Sequence, residues 1–566
     1  MAVEFTKNAL QILRERYLLK DDKGVIVEKP DAMFRRVARA VAKAETNQKK
    51  HWEDAFYQSM SRLEFLPNSP ALMNAGLPNQ QLSACFVLPV KDNLESIFQT
   101  LTQAALIHKN GGGTGYNFSA IRPRGDRVAF SGEASGPIAF MKVFDTATEQ
   151  VKQSGKRRGA NMGILNVDHP DIELFVTAKS DGLSLQNFNS SVGITNAFMK
   201  AVEAKAMWSL INPRTGAVVK EVEAFKLWKL IVKEAWKTGD PGLLFLDHIN
   251  DANPIPEKGP IQSTNPCGEV PLLNYESCTL GSINVSKMIC RTNPDTVQID
   301  WQKLAKTIEL GIRFLDNVIT VNYHIFPEIK TITQTNRKIG LGVMGWAELL
   351  FYLAIPYASE EAVELGELLM KFIKEKSYET SVVLAKERGT LLHSLKRRNA
   401  TCNSIAPTGT ISVIAQTSYS IEPLFALAYE RKGILNGKTQ TEMNTVFRSI
   451  MESEGLWSAQ LKEEILKTGT IQHITSIPKT LRKLFKTSLE IPWKYHLLHQ
   501  KAFQDHTDNA VSKTINLPET ATVKDVYDIY VYAWKYRLKG ITIYRDKSRL
   551  DQVLQACRLT DSDEYC

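Results

Sequence analysis

The segment at residues 263–278, STNPCGEVPLLNYESC, places an amide, a thiol and a carboxylate two residues apart, at Asn265, Cys267 and Glu269. Side chains alternate along an extended segment, so these three are expected on one side. A carboxylate beside a thiol disfavours the thiolate that a cysteine nucleophile needs. A thiyl radical carries no charge, and the carboxylate could take a proton from a substrate hydroxyl that the amide holds. The triplet therefore indicates one-electron chemistry.

The same segment also contains Asn-Pro and Cys-Gly, which are turn-type dipeptides, and spacing alone favours a plain turn. The segment APTGTIS at 406–412 is rich in glycine and hydroxyl groups and could bind phosphate through backbone N–H groups. On sequence alone, a simple Pro-Thr-Gly turn is again favoured. The segment GGGTGYNF at 111–118 lacks the G-x-G-x-x-G spacing of a dinucleotide site.

The composition, with 43% apolar and 23% charged residues in a chain of 566, is typical of a globular protein. Neither a run of about 18 apolar residues nor an apolar signal core is present, so a cytoplasmic protein without a membrane span is predicted. The net charge of +9 comes without an arginine-rich arm, and nucleic-acid binding is not expected. The seven cysteines show no zinc-type spacing, and we predict no structural metal; Cys290 and Cys402 are expected to be inert.

Strand-like apolar runs alternate with amphipathic helical patterns from about residue 66, which predicts an α/β architecture with parallel pairing. The first 65 residues are predicted to be helical. The clearest further helices are expected at 223–237, 302–319, 360–388 and 523–538. Strands are predicted at 84–90, 113–121, 161–167, 191–195, 207–211, 242–246, 282–285, 339–344 and 411–415.

The motif SxNPCGE, followed by SCTLGSINV, resembles the catalytic subunit of ribonucleotide reductases. The similarity extends in order through most of the chain. It includes LPNSPALMNAG (66–76), LSACFVLPV (82–90), GGGTGYNFSAIRP (111–123), GKRRGANMGILNVDHPD (155–171), RKIGLGVMGWAELL (337–350), APTGTISVIAQTS (406–418) and GITIYRDKSR (540–549).

The resemblance implies a ten-stranded α/β barrel with a central finger loop, preceded by a helical region. The corresponding domains are 1–65 (helical), 66–545 (barrel) and 546–566 (a flexible tail with cysteines). Cys267 would be the radical cysteine at the loop tip, and Asn265 and Glu269 would contact the substrate hydroxyls. Cys85 and Cys278 would reduce the substrate and become a disulfide.

Further sites follow from the same resemblance. Substrate phosphates would be bound by Ser69, Thr408, Gly409, Thr410 and Ser412. A deoxynucleoside triphosphate or ATP effector would bind near Asp92 and Arg122, with loop 122–131, and the loop 153–161 would carry its signal through Arg157 and Ala160. Such a site usually lies at a dimer interface, so a homodimer is expected.

The branch of the family is predicted from one position. Class I enzymes carry a radical inward through two consecutive tyrosines, whereas this chain reads Ile543-Tyr544-Arg545. The sequences GITIYRDKSR, around this position, and APTGTISVIA most resemble class II enzymes, which use adenosylcobalamin and need no partner subunit. No additional N-terminal ATP-binding cone domain is expected, because the helical region before the barrel is too short to contain one.

The C-terminal segment contains two cysteines that could reduce the internal disulfide after each turnover. Cys557 and Cys566 are candidates for a relay that reduces the internal disulfide, although their spacing is longer than is usual in the family. Direct reduction by a thioredoxin-like protein or a small dithiol is the alternative. Two other functions stay open: a class I large subunit with a metal-containing radical-generating partner, and an inactive nucleotide-binding regulatory homologue.

Overall fold

The computed structural model describes residues 4–128, 132–151, 159–293, 296–390, 392–431 and 440–548. The strands are β1 Phe65–Pro67, β2 Cys85–Val87, β3 Gly113–Asn117, β4 Arg127–Val128, β5 Gly132–Glu133, β6 Asn161–Asn166, β7 Phe188–Ile194, β8 Met207–Ile211, β9 Val218–Glu223, β10 Gly242–Phe245, β11 Ser263–Thr264, β12 Pro271–Leu272, β13 Ser277–Asn284, β14 Ile289–Asn293, β15 Thr296–Ile299, β16 Ile339–Met344, β17 Ala428–Arg431, β18 Gln440–Met443, β19 Thr514–Leu517 and β20 Gly540–Arg545.

The helices surround these strands. They are α1 Lys7–Ile12, α2 Pro30–Ala42, α3 Lys49–Ser61, α4 Ser69–Asn74, α5 Leu94–Lys109, α6 Pro137–Gln150, α7 Ile172–Val176, α8 Asn196–Ala204, α9 Ala224–Thr238, α10 Leu246–Asp251, α11 Trp301–Val321, α12 Pro327–Asn336, α13 Trp346–Tyr352, α14 Glu360–Arg388, α15 Ile411–Ala415, α16 Thr445–Ser453, α17 Ala459–Thr468, α18 Lys479–Leu484, α19 Trp493–Gln504 and α20 Val523–Lys535. Within the part of the chain that is described, none of them combines the length and apolarity needed to cross a membrane.

The central sheet is built from two parallel halves. Strands β2, β3, β6, β7 and β10 pair in parallel, in that order. In the other half, β13 pairs in parallel with β16, and β19 pairs in parallel with β20. The halves meet in antiparallel pairs, β2 with β13 and β10 with β20. Parallel strands require long crossover connections, which the helices between them supply.

Residues 401–405 close the sheet into a barrel. Leu341 in β16 bridges in parallel to Asn403, and Ile405 bridges in parallel to Val511, just before β19. The segment 401–405 therefore acts as a strand between β16 and β19, so each half contains five strands, while β1 pairs only with one end of β13. The predicted ten-stranded α/β barrel is confirmed.

A loop passes through the middle of this barrel. The strands β11 and β12 form a narrow hairpin, and residues 265–270 form its tip. On one side, the Asn189 side chain donates to the carbonyl of Pro266 at 2.8 Å; on the other, the N–H of Ala510 donates to the carbonyl of Glu269 at 2.9 Å. A Cβ at Gly115 in β3 would lie 1.7 Å from the Thr264 carbonyl oxygen, so glycine is what lets the loop pass this strand.

The N-terminal helices and one side of the barrel share a single apolar core. Phe34 and Val37 of α2 and Phe56 of α3 belong to the same buried cluster as Ile312 and Leu315 of α11, which covers β13 and β16. The predicted helical N-terminal region is present as α1, α2 and α3. The domain boundaries that we predicted after residues 65 and 545 stay a prediction.

One predicted strand is wrong: residues 411–415, ISVIA, form the helix α15. A short apolar run has no periodicity that separates a buried strand from a buried helical turn. All five residues of α15 are buried, so packing around the whole segment decides its conformation. Residues 207–211 do form a strand, but β8 pairs with β9 in a separate hairpin outside the barrel.

A buried carboxylate anchors the closing segment. Asp316 in α11 is fully buried and accepts from Nε of Arg337 at 2.7 Å, Nε of Arg398 at 2.8 Å and Nδ2 of Asn399 at 3.1 Å. Arg337 precedes β16, and the other two residues precede the segment 401–405. Asp316 therefore holds the start of two neighbouring barrel strands against α11.

We expect Asp316→Ala to lower the free energy of unfolding by about 3–5 kcal/mol, because it leaves buried guanidinium groups uncompensated. Burial alone raises the pKa of Asp316, but Arg337 and Arg398 outweigh it and the net shift is downward. A lowered pKa means that the stabilisation is present above the unfolded-state value of about 3.9 and is lost as the pH falls below it. Urea unfolding at neutral pH measures the effect, with Asp528→Ala as control, because the half-buried carboxylate of Asp528 pairs with the exposed Lys524 at the surface. Equal stability of the two variants would contradict it.

Candidate active site

The finger loop and both barrel halves enclose a cavity of about 270 Å³, here called the catalytic cavity. Seven groups of residues form its wall: the loop tip, the start of α4, the strand β2 with the residue before it, the glycines before and in β3, the residue before β6, the middle of β13, and the segment after residue 405. Among the candidate residues it brings together Asn265, Cys267, Glu269, Cys85, Ser69, Thr408, Gly409, Thr410 and Ala160. These positions are spread over some 340 residues of sequence, and only the barrel makes them neighbours.

The loop tip is a turn, as its Asn-Pro and Cys-Gly dipeptides favoured, and not the extended segment whose alternation would place Asn265, Cys267 and Glu269 on one side. The N–H of Gly268 donates to the carbonyl of Asn265 at 3.0 Å, and Gly268 has a φ of +80°. The Asn265 side chain accepts from the N–H of Val270 at 2.9 Å and braces the turn. The three side chains still line one cavity, because the turn makes them converge on the same space.

The three side chains of the tip differ in burial. Cys267 is exposed to the cavity as a free thiol, whereas Asn265 and Glu269 are each 2% exposed. The amide Nδ2 of Asn265 donates to Sγ of Cys85 at 3.3 Å. A thiol at the tip of the loop, next to a buried carboxylate, is thus surrounded by groups that can orient and deprotonate a hydroxyl-bearing ligand.

Cys85 and Cys278 are directly opposite each other in the antiparallel pair of β2 and β13. Opposed residues in such a pair have Cα atoms about 4.5–5.5 Å apart, which is within the range that a disulfide spans. Both are buried free thiols. Burial, assisted by Glu269 and Glu276, raises the pKa of Cys278 far above its usual range, against the opposing effect of Lys338. A thiol that stays protonated suits hydrogen-atom and electron transfer better than nucleophilic attack.

The loop 406–411 forms the wall at the other side of the catalytic cavity. Thr408 has a φ of +54°, and its hydroxyl accepts from the N–H of Ser420 at 2.8 Å. A Cβ at Gly409 would meet nothing within 4 Å, so backbone atoms there face open space. Ser412 is not part of the cavity wall: it is fully buried, and its hydroxyl donates to the carbonyl of Thr408 at 2.9 Å, where it shapes the loop.

Two residues that the sequence analysis did not single out support the same wall. Asn68 lines the cavity and caps α4 by accepting from the N–H of Ala71 at 2.9 Å. The hydroxyl of Tyr17, in the N-terminal region, lies 2.7 Å from that of Ser69. The asparagine could have been found as an N-cap signal before a proline, whereas Tyr17 lies too far along the chain for any local pattern to reveal it.

A further cavity of about 410 Å³ adjoins the loop tip and is called the second cavity. It shares Pro266, Cys267 and Pro407 with the catalytic cavity, so the thiol of Cys267 lies between the two. Its other walls come from β7, β10, β19 and β20, and include Asp240, Lys513 and Thr542 as well as Ile543 and Tyr544.

The proposed effector residues are partly described. Nε of Arg122 lies 2.8 Å from Oδ2 of Asp92, and the Arg122 N–H donates to Oδ1 at 3.1 Å, which joins the segments after β2 and β3. The carbonyl of Ala160 accepts from the N–H of Thr114. Arg157, Cys557 and Cys566 lie outside the described residues, as do parts of the loops 122–131 and 153–161.

Comparison with protein families now identifies the chain. The sequence model described as "Ribonucleotide reductase, barrel domain" matches residues 83–396 and 390–544. The chain belongs to the ribonucleotide reductase family. A second model, "Ribonucleotide reductase, all-alpha domain", matches residues 3–80. Membership confirms the predicted enzyme class, an oxidoreductase.

Individual ribonucleotide reductases resemble the chain over nearly all of its length. A "Vitamin B12-dependent ribonucleoside-diphosphate reductase" of Mycobacterium tuberculosis (strain CDC 1551 / Oshkosh) is 48% identical, over 97% of this chain and 80% of that protein. A protein of the same name from Thermoplasma acidophilum is 44% identical, over 98% of this chain and 80% of that protein. Among solved structures, the "Actinobacillus ureae class Id ribonucleotide reductase alpha subunit" superposes with a TM-score of 0.80 at 25% identity, covering 96% of this chain and 97% of that chain.

Proposed function

We propose that this chain is an adenosylcobalamin-dependent reductase that converts ribonucleoside diphosphates into deoxyribonucleotides. The observation that supports it is the grouping of Cys267, Asn265, Glu269 and Cys85 on one cavity, with Cys278 opposite Cys85. The printed names of the relatives at 44–48% identity add vitamin B12 and the diphosphate substrate. Cytoplasmic location is part of the same proposal.

In the proposed reaction, the residues of the loop tip act on the ribose. The thiyl radical of Cys267 takes the hydrogen atom from C3′, and Glu269 takes the proton of the 3′-hydroxyl while Asn265 holds it in place. The 2′-hydroxyl then leaves as water with a proton from the thiol pair, and C2′ takes a hydrogen atom from the same pair. The electron left on the pair and the proton held by Glu269 convert the 3′-ketone back into a hydroxyl-bearing radical at C3′. Cys267 finally returns a hydrogen atom to C3′, so the radical is regenerated.

Cys85 and Cys278 supply the two electrons. Together they lose two electrons and two protons and form one disulfide, which balances the replacement of the 2′-hydroxyl by hydrogen and the release of one water. An external dithiol must reduce this disulfide before the next turnover. The tail cysteines Cys557 and Cys566 are proposed to carry that exchange, with direct access of a thioredoxin-like protein or a small dithiol as the alternative.

The second cavity has room for the adenosyl group of the proposed cofactor beside Cys267. Cobalamin carries its cobalt inside its own macrocycle, so it requires space beside the thiol and polar lining rather than a cluster of protein ligands. The second cavity reaches Cys267, has room for a nucleoside-sized group and is lined by Asp240, Lys513 and Thr542. When bound, adenosylcobalamin supplies the one-electron oxidation that turns the Cys267 thiol into a radical.

The alternatives are less well supported. A class I subunit would carry its radical through two consecutive tyrosines, but this chain reads Ile543-Tyr544-Arg545, and neither isoleucine nor arginine can replace the missing second tyrosine in such a relay. An inactive regulatory homologue has no chemical need for three cysteines, an amide and a carboxylate in one place.

Regulation is proposed through an effector site at a dimer interface. The helix α5, which follows Asp92, exposes the apolar side chains of Leu94, Phe98 and Leu106, with exposed fractions of 63%, 50% and 39%. Exposed apolar side chains grouped on one helix mark surfaces that bind partners. A second copy of the chain would cover them and complete a site for a deoxynucleoside triphosphate or ATP near Arg122.

The test uses the purified chain alone, without oxygen, with a dithiol and CDP, in the presence and absence of adenosylcobalamin. We expect deoxycytidine diphosphate only in the sample with the cofactor. CTP in place of CDP tests the choice of substrate. Product without adenosylcobalamin, or its absence in every sample under several effectors, would contradict the proposal and direct attention to a partner subunit.

A further inference from the structure

A cavity of about 590 Å³, the basal cavity, lies at the end of the barrel opposite to the catalytic cavity. The strands of the second half are parallel, so their ends identify the two mouths. The catalytic cavity is lined by Ala406–Ile411, which follow the strand 401–405, whereas the basal cavity is lined by Arg397, which precedes it, and by Lys539, which precedes β20. The two cavities share no lining residue.

The basal cavity has an excess of positive charge. Its wall contains six cationic side chains, those of Lys374, Arg397, Lys501, Lys535, Arg537 and Lys539, and three carboxylates, those of Asp251, Asp505 and Asp508. Each carboxylate is already engaged: Asp251 pairs with Arg537, Asp505 pairs with Lys501, and Asp508 accepts from the Tyr378 hydroxyl and the Cys402 N–H.

Two of the lysines have a structural explanation. Lys501 is in the last turn of α19 and Lys535 is in the last turn of α20, where the helix dipole favours a cation. Arg537 is neutralised by Asp251 at 2.6 Å. The excess charge therefore resides on Lys374, Arg397 and Lys539.

Two of these three cations, Lys539 and Arg397, donate to neutral groups. Lys539 is 6% exposed, and its ammonium donates to the carbonyl oxygens of Asp508 and Asn509. Arg397 donates to the carbonyls of Asn399 and Ala400 and stacks 4.2 Å from the centre of the Tyr378 ring. In the described residues, no carboxylate comes within ion-pairing distance of Lys374, Arg397 or Lys539.

The cost of gathering these cations is visible at Lys539. Burial, together with the nearby charge of Lys374 and against the opposing effect of Asp508, lowers the pKa of Lys539 to about 8. An anion in the cavity would compensate this repulsion and restore the charged form. Arginine and lysine side chains on a concave wall are the usual partners of phosphate groups.

We infer that the basal cavity binds a small phosphorylated anion, either a nucleotide or an inorganic polyphosphate, through Lys374, Arg397 and Lys539. The volume lies within the range of small-molecule sites. His248 and Tyr536 also line the wall. This site is distinct from the catalytic cavity and from the effector site proposed near Arg122.

The test compares Lys374→Gln with Lys386→Gln in the full chain. Both residues are on α14, and both changes remove one charge, but Lys386 is exposed and does not line the cavity. Isothermal titration calorimetry with sodium tripolyphosphate and, separately, with ATP is carried out with CDP and a deoxynucleoside triphosphate present, so that the other proposed sites are filled. We expect about tenfold weaker tripolyphosphate binding in Lys374→Gln and wild-type binding in Lys386→Gln.

The outcomes separate cleanly. If the wild type binds tripolyphosphate and ATP with equal affinity, the ligand of the basal cavity is an inorganic polyphosphate. If it binds ATP more tightly, and Lys374→Gln weakens that binding as well, the ligand is a nucleotide. Equal binding by the two variants would overturn the inference. A crystal soaked in tungstate, an anion similar to phosphate, gives a second test: anomalous diffraction that locates tungsten only outside the basal cavity would also overturn it. We also expect Lys374→Gln to reduce CDP at the wild-type rate. A change in anion binding without a change in turnover separates the basal cavity from the proposed catalytic function.

Discussion

Replacing Cys267 with serine is expected to reduce deoxycytidine diphosphate formation by at least about 10⁴-fold, to the background of the assay. A serine hydroxyl has a far stronger bond to hydrogen than a thiol, so it cannot form the radical that starts the reaction. Cys267 is exposed at the tip of the finger loop, between the two cavities, and the change removes little packing. Folding should therefore be unaffected.

Binding and turnover must be measured together for this variant. The CDP dissociation constant, obtained by calorimetry, should change by no more than about twofold, as for a substitution that disturbs no packing. Cys290→Ser is the matched control, because Cys290 is half-buried in β14 and outside both cavities. Retained turnover in Cys267→Ser would refute the radical assignment, while lost CDP binding would indicate that Cys267 has a structural role.

Replacing Glu269 with glutamine is expected to lower kcat by about 10²–10⁴-fold, the usual contribution of a general base. Glutamine keeps the shape of the side chain but cannot accept the proton of the 3′-hydroxyl. The backbone of Glu269 also holds the finger loop, since its carbonyl accepts from Ser404 at 2.8 Å and from Ala510 at 2.9 Å. Those bonds do not depend on the carboxylate and survive the substitution.

The assignment of Glu269 as a base is separated from a structural role by its kinetic pattern. KM for CDP should stay near the wild-type value, and the rise of kcat with pH that reports the carboxylate should disappear. Glu257→Gln, on an exposed turn that precedes the finger loop, serves as control and should have wild-type kinetics. An unchanged pH profile with a raised KM would mean that Glu269 only positions the substrate.

The helices and strands with strong periodicity could be predicted from the sequence. The amphipathic patterns predicted α9, α11, α14 and α20, and the parallel strands appeared as apolar runs because both of their faces are buried. The segments 401–405, β19 and β20 were not predicted as strands, although they close the barrel. They are short, and what makes them strands is pairing with residues far along the chain, which no local pattern contains.

For the candidate site, too, some features could be predicted from the sequence and others depended on the fold. The turn at the loop tip was favoured by its Asn-Pro and Cys-Gly dipeptides, and the structure forms it with a positive φ at Gly268 and with the Asn265 side chain accepting from the N–H of Val270. The chemical interpretation did not depend on that conformation. Ser412 was assigned to the cavity wall by its place in a motif, whereas the helical turn of α15 directs its hydroxyl back to Thr408.

By itself, the sequence determined the kinds of groups available: three cysteines, an amide and a carboxylate in motifs that resemble one family, and a single tyrosine, Tyr544, where class I enzymes have two. Only the tertiary structure decided that Cys85 and Cys278 are opposed in neighbouring strands, that Cys267 lies between two cavities, and that Lys374, Arg397 and Lys539 gather at the other mouth of the barrel. The physical reason is that residue types and local periodicity are written along the chain, whereas these distances result from the closure of a sheet whose strands pair across hundreds of residues.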